Sequence, residues 1–315
     1  MYYTFTIPKK SGGVRVITAP NEALKKRQRE LLKKLQGRNW LSRRAHGFIR
    51  GRNIYTNASV HVGKKWVLNM DIKDFFPSLT YHHAYNIRIG KGAAEVCVYD
   101  HITFHNDSLP QGAPTSPWVS NYCMRDFDTR IRGLLRKRVS DDIGYTRYAD
   151  DLTFSSNSHA LEKAEEIVRE RLEEMGLRLN NDKTRLMGRG QRQEITGLNI
   201  NSGRPTIPKK YRRKVRALVH RASSGWLITH KQKESLVGMI SHIALCHPEE
   251  ARKYREILMP VISVDGNTRR LAGAKRVRLE TKRLRDRTPG TVQQSVIYNR
   301  QPSGSRRMRR LGDGQ

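Results

Sequence analysis

The chain has 315 residues, with 61 Lys and Arg against 29 Asp and Glu, which gives a formal net charge of +32. Apolar residues make up 37% of it, enough for a hydrophobic core, so a fully disordered protein is excluded. The positive charge is spread along the chain and predicts a surface that attracts nucleic acid. The sequence contains no long apolar run, no secretory signal and only three isolated cysteines, so we expect a cytoplasmic protein without a membrane span.

The first third of the chain mixes predicted strands, a helix and a loop. Residues 14–17 alternate in polarity and predict a strand, and Asn21 follows in a position to cap a helix. Residues 38–64 are basic and irregular, which predicts a loop. The apolar run 66–70 predicts a strand that ends at Asp71.

The middle third is predicted to contain a rigid loop, helices and a hairpin. Residues 109–117 combine one glycine with three prolines, and the helix that follows has an apolar stripe reaching Leu135. Residues 143–154 predict a β-hairpin with an acidic pair at its turn. The next predicted elements are a helix over about 159–175 and strands at 177–180 and 194–200.

The last third changes character twice. From Pro208 the apolar pattern is helical, and from about residue 261 it loses periodicity while staying strongly basic. We therefore predict a mixed α/β region over 1–207, a helical region over 208–260 and a weakly ordered basic extension over 261–315.

Three aspartates are candidates for metal chemistry: Asp71 at a strand end, and Asp150 with Asp151 at the hairpin turn. Nucleotidyl transfer uses two Mg²⁺ ions about 3.5–4 Å apart, and Mg²⁺ prefers oxygen ligands. An Asp-Asp pair at a turn is also ordinary hairpin chemistry. Here apolar strands flank the pair, and neighbouring carboxylates at a core-supported edge repel each other unless a cation is bound.

Four motifs occur in the order in which reverse transcriptases carry them. They are Asp71-Ile72-Lys73-Asp74-Phe75-Phe76, Leu109 to Pro117, Tyr148-Ala149-Asp150-Asp151, and Gly176-Leu177 to Lys183. The chain resembles this family over about residues 7–260. The resemblance implies a right-hand polymerase fold, in which fingers and palm combine an antiparallel sheet with helices and the thumb is helical. It also implies RNA-directed DNA synthesis with two Mg²⁺ ions and dNTPs.

The resemblance assigns a role to each motif residue. Asp71, Asp150 and Asp151 would hold the metals, with help from the Ile72 carbonyl. Nucleotide contacts are implied for Arg15, Asp74, Phe75, Phe76, Gln111, Gly112 and Lys183. Phe76 falls where the family places an aromatic gate against ribonucleotides, and Lys183 is a candidate general acid. Alternatives stay open: Arg15 and Lys183 also fit solvated surface charges, and Phe75 and Phe76 both fit core residues, of which we expect at least one to be buried.

Two further motifs resemble signatures of retron reverse transcriptases. Asn57-Ala58-Ser59-Val60-His61 matches their Asn-Ala-x-x-His, and Ile195-Thr196-Gly197 stands where they carry Val-Thr-Gly, with Ile in place of Val. The resemblance implies RNA binding at both motifs, although His61 alone also fits a loop or core histidine. It further implies a cognate noncoding RNA, an internal 2′-OH primer and a multicopy single-stranded DNA product (msDNA) in an antiphage system. A separate effector or toxin protein and host ribonuclease H would complete the partners, since no ribonuclease H region is recognisable.

The helical region adds a basic run that is expected to grip RNA by phosphate and 2′-OH contacts. Its predicted RNA-binding residues are Lys209, Lys210, Arg212, Arg213 and Arg216, for which a solvated helix face is the alternative. Two other functions are considered, namely a non-retron reverse transcriptase of the group II intron or another defence type, and a non-catalytic RNA-binding protein. The motif from Asn57 to His61 argues against the intron version of the first, and the intact aspartates argue against the second.

Overall fold

A computed structural model describes residues 1–9, 12–36, 40–85, 100–224 and 229–262 of the chain. The strands are β1 (Tyr2–Pro8), β2 (Val14–Pro20), β3 (Trp66–Asp71), β4 (Gly144–Tyr148), β5 (Asp151–Ser156), β6 (Arg185–Gly188), β7 (Glu194–Ile195) and β8 (Leu198–Asn199). The helices are α1 (Glu22–Gln36), α2 (Ile54–Ser59), α3 (Phe75–Ser78), α4 (Tyr81–Tyr85), α5 (Asp100–Thr103), α6 (Ser116–Cys123), α7 (Arg125–Arg138), α8 (Ala164–Glu173), α9 (Lys209–Ser223), α10 (His230–Ala244) and α11 (Pro248–Ile262). Two 3₁₀ segments lie at His159–Lys163 and Asn181–Lys183.

A four-stranded antiparallel sheet in the order β4-β5-β3-β6 forms the centre of the molecule. Successive residues of a strand point to opposite faces, and β3 is buried on both. Leu68 and Met70 belong to a core shared with helices α1, α6, α7 and α8. Val67, which precedes Leu68 and points to the opposite face, belongs to a second core. The sheet is therefore covered on both faces, which supports the strand end at Asp71.

The second core joins the three C-terminal helices to the sheet. Val215 and Val219 of α9 pack in it with residues of α10 and α11, and Ala58 of α2 and Ile195 of β7 belong to it as well. This core therefore includes residues on both sides of position 207, the predicted boundary between the mixed α/β region and the helical region.

Several predicted elements are present with the expected bounds. β3 runs to Asp71, β4 and β5 form the hairpin, and the Oδ1 of Asn21 accepts a hydrogen bond from the backbone N–H of Leu24 in the first turn of α1. No helix in the described ranges is both long enough and apolar enough to cross a bilayer. The predicted extension beyond residue 262 lies outside the described residues.

Other predicted elements are wrong. The predicted loop 38–64 contains α2, a six-residue helix too short for a periodic signal, which Asn53 caps by accepting from the backbone N–H of Thr56. The predicted strand 177–180 makes only an isolated bridge, between Leu179 and Ile72. The helix predicted to run to Leu135 is interrupted at Met124, because α6 and α7 bury the same stripe and periodicity does not register the break.

Candidate active site

The three candidate metal ligands meet at one edge of the central sheet. Asp71 and Asp151 are direct register partners on the antiparallel strands β3 and β5, and Asp150 precedes β5 in the hairpin turn. One carboxylate oxygen from each residue lies within 4.8 Å of the other two. Asp71 is buried, whereas Asp150 and Asp151 are partly exposed. The arrangement is a cluster of oxygen ligands that is open on one side.

The turn that carries Asp150 has an unusual backbone conformation. Ala149 has φ +58°, in the left-handed region that costs non-glycine residues free energy. The backbone N–H of Ile72 donates to the carbonyl of Asp150 (3.1 Å), which ties the turn to β3. A Cβ atom added to Gly47 would lie 2.7 Å from the backbone nitrogen of Ala149, so the loop before α2 presses against the turn.

A buried ion pair supports this turn from inside. The Nε of Arg147 donates to Oδ1 of Asp128 (2.9 Å) and its Nη2 to Oδ2 (2.8 Å). Its Nη1 donates to the side chain of Asn121 (2.9 Å) and to the carbonyl of Ala149 (3.1 Å). The hydroxyl of Tyr145 donates to Asp128 as well (2.7 Å), and neither member of the ion pair has exposed surface.

Sequence reasoning missed this network. A charge is buried in a protein only when it is paired and hydrogen-bonded. The available signal was Arg147 itself, a charged residue in the middle of an otherwise buried strand. The sequence could not identify its partner, which lies on a different element, α7.

The electrostatics of the carboxylate cluster fit a bound cation. Burial, followed by the charge of Asp71, raises the pKa of Asp150. Burial, followed by the charges of Asp150 and Asp71, raises the pKa of Asp151 to about 7. A divalent ion would relieve this repulsion, and carboxylate oxygens are the ligands that Mg²⁺ prefers. The Ile72 carbonyl accepts no hydrogen bond from the residues described, so its oxygen is a further candidate metal ligand at this edge.

Lys183 lies directly against the cluster. Its Nζ donates to both carboxylate oxygens of Asp71, at 2.9 and 2.8 Å, and the amide of Asn180 approaches the same carboxylate at 3.4 Å. Burial opposes the charge of Lys183, but the hydrogen bond and the charge of Asp71 outweigh it, so the pKa of Lys183 is raised. The lysine is therefore a cation beside the metal ligands, which is compatible with the role implied for it.

The two phenylalanines of the first motif have different surroundings. Phe75 is buried in the core shared with α6 and α7, whereas Phe76 is half-buried. The ring of Phe76 lies 6.3 Å from that of Phe48, centroid to centroid, and Phe48 is 48% exposed. Asp74 is exposed, with φ +46° at the start of α3. Phe75 therefore fits the core alternative, and Phe76 stays the candidate gate.

The predicted nucleotide-binding loop is attached to β2. The backbone N–H of Thr18 donates to the carbonyl of Gln111 (2.9 Å). A Cβ atom on Gly112 would lie 3.1 Å from both the Ile17 side chain and the Thr18 carbonyl, and φ at Gly112 is +140°, so the approach requires glycine. Arg15, also on β2, is exposed, and its charge opposes the upward pKa shift of Asp150.

The two retron-like signatures contact each other and the catalytic hairpin. The amide of Asn57 donates to Oγ1 of Thr196 at 3.5 Å. The ring nitrogens of His61 lie 2.8 Å from the hydroxyls of Ser155 on β5 and Thr146 on β4. Burial lowers the pKa of His61 to about 3, so the ring is neutral and one nitrogen donates while the other accepts. The signatures thus connect the hairpin with the second core.

Direct RNA contact was predicted for six residues of the two signatures, and burial argues against most of it. They are Asn57, Ala58, His61, Ile195, Thr196 and Gly197. The side chains of Asn57, Ala58, His61 and Ile195 have no exposed surface. A side chain without exposed surface cannot touch a ligand, so the structure gives these four a packing role. Thr196 is partly exposed and Gly197 exposed, and only these two stay available.

The predicted basic residues of α9 are mostly accessible. Lys209, Lys210, Arg213 and Arg216 are exposed. Arg212 is half-buried, and its Nε donates to Oε2 of Glu250 on α11 at 2.7 Å. Arg212 is therefore engaged within the protein, while its neighbours are free to contact a ligand.

Comparison with known proteins identifies the family. Residues 7–201 match the family described as "Reverse transcriptase (RNA-dependent DNA polymerase)". The chain is 37% identical to the Retron Mx65 reverse transcriptase of Myxococcus xanthus and 33% identical to the Retron Mx162 reverse transcriptase of the same species, over 80% of its length in each case. It is 33% identical to the Retron Ec86 reverse transcriptase of Escherichia coli over 71% of its length.

The matches cover different shares of these relatives, namely 63% of the Mx65 protein, 59% of the Mx162 protein and 71% of the Ec86 protein. The chain thus spans about three fifths of the two M. xanthus proteins that it matches. The predicted α/β polymerase fold is confirmed by the family match and by the antiparallel sheet. The chain belongs to the reverse transcriptase family and is of the retron type.

Proposed function

We propose that the chain is an RNA-directed DNA polymerase that copies part of a cognate noncoding RNA into msDNA. The single observation that carries the proposal is the meeting of Asp71, Asp150 and Asp151 within 4.8 Å at the sheet edge. Priming from an internal 2′-OH of the RNA, and so a 2′,5′-branched product, is proposed from the similarity to retron reverse transcriptases.

The residues at the sheet edge have separate roles in the proposed reaction. Asp71, Asp150, Asp151 and the Ile72 carbonyl would hold two Mg²⁺ ions, which supply charge neutralisation and activation of the attacking hydroxyl when bound. Lys183 is held beside Asp71 and is the candidate to stabilise charge or deliver a proton at the triphosphate.

The nucleotide would lie between the first motif and the loop on β2. Asp74 and Phe76 are accessible near the catalytic strand end, and the Phe76 ring is the proposed gate that favours dNTPs over ribonucleotides. Gln111 and Gly112 are held against β2, the strand that also carries Arg15, the proposed phosphate ligand.

The exposed cations of α9 are the proposed contacts to the RNA partner. They are Lys209, Lys210, Arg213 and Arg216, and we place them in a helical thumb over 208–260 that follows a fingers and palm region over 1–207. The remaining proposed partners are a separate effector protein and host ribonuclease H. The proposed location is the bacterial cytoplasm.

Asp150→Asn tests the catalytic assignment, with Asp141→Asn as the matched control on an exposed carboxylate of the loop before β4. Loss of a metal ligand removes several kcal/mol of transition-state stabilisation, so we expect DNA synthesis on a primed RNA template to fall at least about 10³-fold. RNA binding should persist in both variants. Undiminished synthesis by Asp150→Asn would overturn the metal assignment.

The retron reaction is tested in cells that express the chain with its flanking locus. The purified complex is treated with RNase, DNase and debranching enzyme. A short discrete DNA whose mobility shifts on debranching supports synthesis from a 2′-OH primer. A discrete unbranched DNA moves the protein to another class of reverse transcriptase. RNA without any DNA, even with added dNTPs and Mg²⁺, favours the non-catalytic RNA-binding protein.

A further inference from the structure

One flank of α7 carries a cleft that none of the proposed roles explains. The cleft has a volume of about 440 Å³ and lies between α7 and the loop that precedes α2. Five of its lining residues are arginines, namely Arg43, Arg44, Arg125, Arg132 and Arg136. We call it the arginine cleft. It shares no residue with the carboxylate cluster, the nucleotide-binding loop or the basic face of α9.

The arginines of α7 form a row along the helix. Arg125, Thr129, Arg132 and Arg136 follow at intervals of four, three and four residues, which places them on one side of a helix. The eleven steps from Arg125 to Arg136 span about 16 Å at the helical rise of about 1.5 Å per residue. That length exceeds a single phosphate and suits several phosphates along one nucleic-acid strand.

Internal contacts of the protein hold part of the row in place and leave the rest free. The Nε of Arg132 donates to the carbonyl of Ile143 (3.3 Å) and the Nε of Arg136 to that of Asp141 (2.9 Å). Both guanidinium groups are thereby oriented, and their Nη1 and Nη2 groups make no described hydrogen bond. The side chains of Arg43 and Arg125 make no hydrogen bond or ion pair to any residue that the structure describes.

Among the residues that the structure describes, no carboxylate lining the cleft is free to neutralise this charge. Asp128 is the one carboxylate among the described residues that line the cleft, and both of its oxygens are already taken by Arg147 and Tyr145. Burial lowers the pKa of Arg132, and the charges of Arg44 and Arg136 lower it further, which reports mutual repulsion among the arginines. An anion in the cleft would relieve this repulsion.

The chemistry of the cleft favours phosphates. Guanidinium groups bind phosphate oxygens through paired hydrogen bonds, and five of them line the cleft. A protein partner would require an apolar anchor at the centre of the interface, and Leu41 is the single large apolar residue among the described residues that line the cleft. The row therefore suits a nucleic-acid backbone better than an acidic protein surface.

We propose that the arginine cleft binds the phosphate backbone of a double-helical RNA segment, as a docking site separate from the catalytic edge. Proteins contact duplex RNA mainly through its shape, phosphates and 2′-OH groups, so no base sequence is implied. The identification of the polyanion as RNA rests on the proposed function.

The test compares two pairs of substitutions that remove equal charge from α7 and its surroundings. Arg43→Gln with Arg125→Gln alters the cleft, and Arg130→Gln with Arg138→Gln alters exposed arginines on other sides of α7. Neither substitution in the first pair removes a described side-chain contact, and thermal unfolding verifies that both double variants fold. The ligand is a 20-base-pair blunt RNA duplex, and its affinity is measured by fluorescence anisotropy over a series of salt concentrations.

We expect weaker duplex binding for the cleft pair alone. Each lost phosphate contact reduces the slope of log affinity against log salt by about 1, so the cleft pair should reduce it by about 2. Equal effects of the two pairs, or none from the cleft pair, would overturn the proposal, and the second result would leave an acidic protein as the occupant.

Extension of a short primed oligonucleotide by the unsubstituted protein distinguishes this proposal from the proposed function. Absence of DNA synthesis there would contradict the polymerase, while a selective binding loss in the cleft pair would still support an RNA docking site.

Discussion

The arginines of the β4–β5 hairpin and of helix α9 have opposite surroundings. Arg147 has no exposed surface and directs all its described hydrogen bonds to protein atoms, two of them to Asp128. Arg213 and Arg216 on α9 are exposed and have no described ion pair. A buried ion pair fixes the positions of its two side chains, because displacing either one leaves the other charge buried and uncompensated. An exposed cation instead attracts a polyanion through an electrostatic field that salt screens.

In this protein a buried arginine positions a turn of the candidate site, whereas exposed arginines supply affinity for a ligand. The turn with Asp150 has a strained residue, Ala149, and a strained backbone persists only where its surroundings determine it fully. Arg147, Asn121 and the close approach of Gly47 supply those surroundings. The basic helix α9 requires no comparable support, since phosphate contacts tolerate small displacements of long side chains.

The largest predicted effect comes from breaking the buried pair. Arg147→Met leaves Asp128 buried and unpaired, which should lower the free energy of unfolding by about 3–5 kcal/mol. DNA synthesis should fall as well, because the Ala149 carbonyl loses its donor. Urea unfolding gives the first quantity and primer extension gives the second.

A double variant refines that prediction. Arg147→Met with Asp128→Leu removes both charges, so it should recover much of the lost stability, since a buried pair is often replaceable by apolar residues. Synthesis should stay low, because the support of the turn is still missing. Recovery of stability and synthesis together would show that the pair only stabilises the fold and does not position the turn.

The sequence predicted the strand and hairpin that carry the aspartates, but not the contacts that hold these elements in place. The strand to Asp71 and the hairpin with the acidic pair were predictable, because apolar runs and turn residues are local signals. The contacts behind them were not, because Arg147 reaches α7 and His61 reaches β4 and β5, and single-sequence periodicity contains no information on such pairings. For the same reason the signature at His61 was interpreted as an RNA contact, although its side chain lies in the interior.

A pH dependence of intermediate size is expected from His61. Its pKa is about 3 in the folded chain against about 6.5 in the unfolded chain, so below pH 6.5 the unfolded state binds a proton that the folded state does not. Its contribution is therefore unchanged above pH 6.5 and is lost progressively as the pH falls towards 3. The loss is about 1.4 kcal/mol per pH unit, or about 2 kcal/mol at pH 5.

His61→Gln isolates this contribution. The variant is expected to be less stable at pH 7, because the hydroxyls of Ser155 and Thr146 lose a partner that fits both. Its stability should then decrease less steeply than that of the unsubstituted protein between pH 6 and 4.5. His46, whose pKa burial lowers to about 4, is present in both proteins, so the difference between the profiles reports His61 together with its repulsion by His46. Parallel pH profiles would contradict a neutral buried His61.

The smallest predicted effects lie on α9, where the same helix offers both kinds of arginine. Arg213→Gln should leave the free energy of unfolding within about 0.5 kcal/mol and reduce the salt slope of RNA binding by about 1. Arg212→Gln removes the ion pair with Glu250, which keeps its hydrogen bond from Tyr254, and should cost up to about 1 kcal/mol of stability, with little change in the salt slope. The two single variants remove the same charge from adjacent positions, so a difference in slope reports which guanidinium contacts RNA. Equal slopes would mean that the helix acts only through its summed charge, and that pairing within the protein does not decide which arginine is available to the ligand.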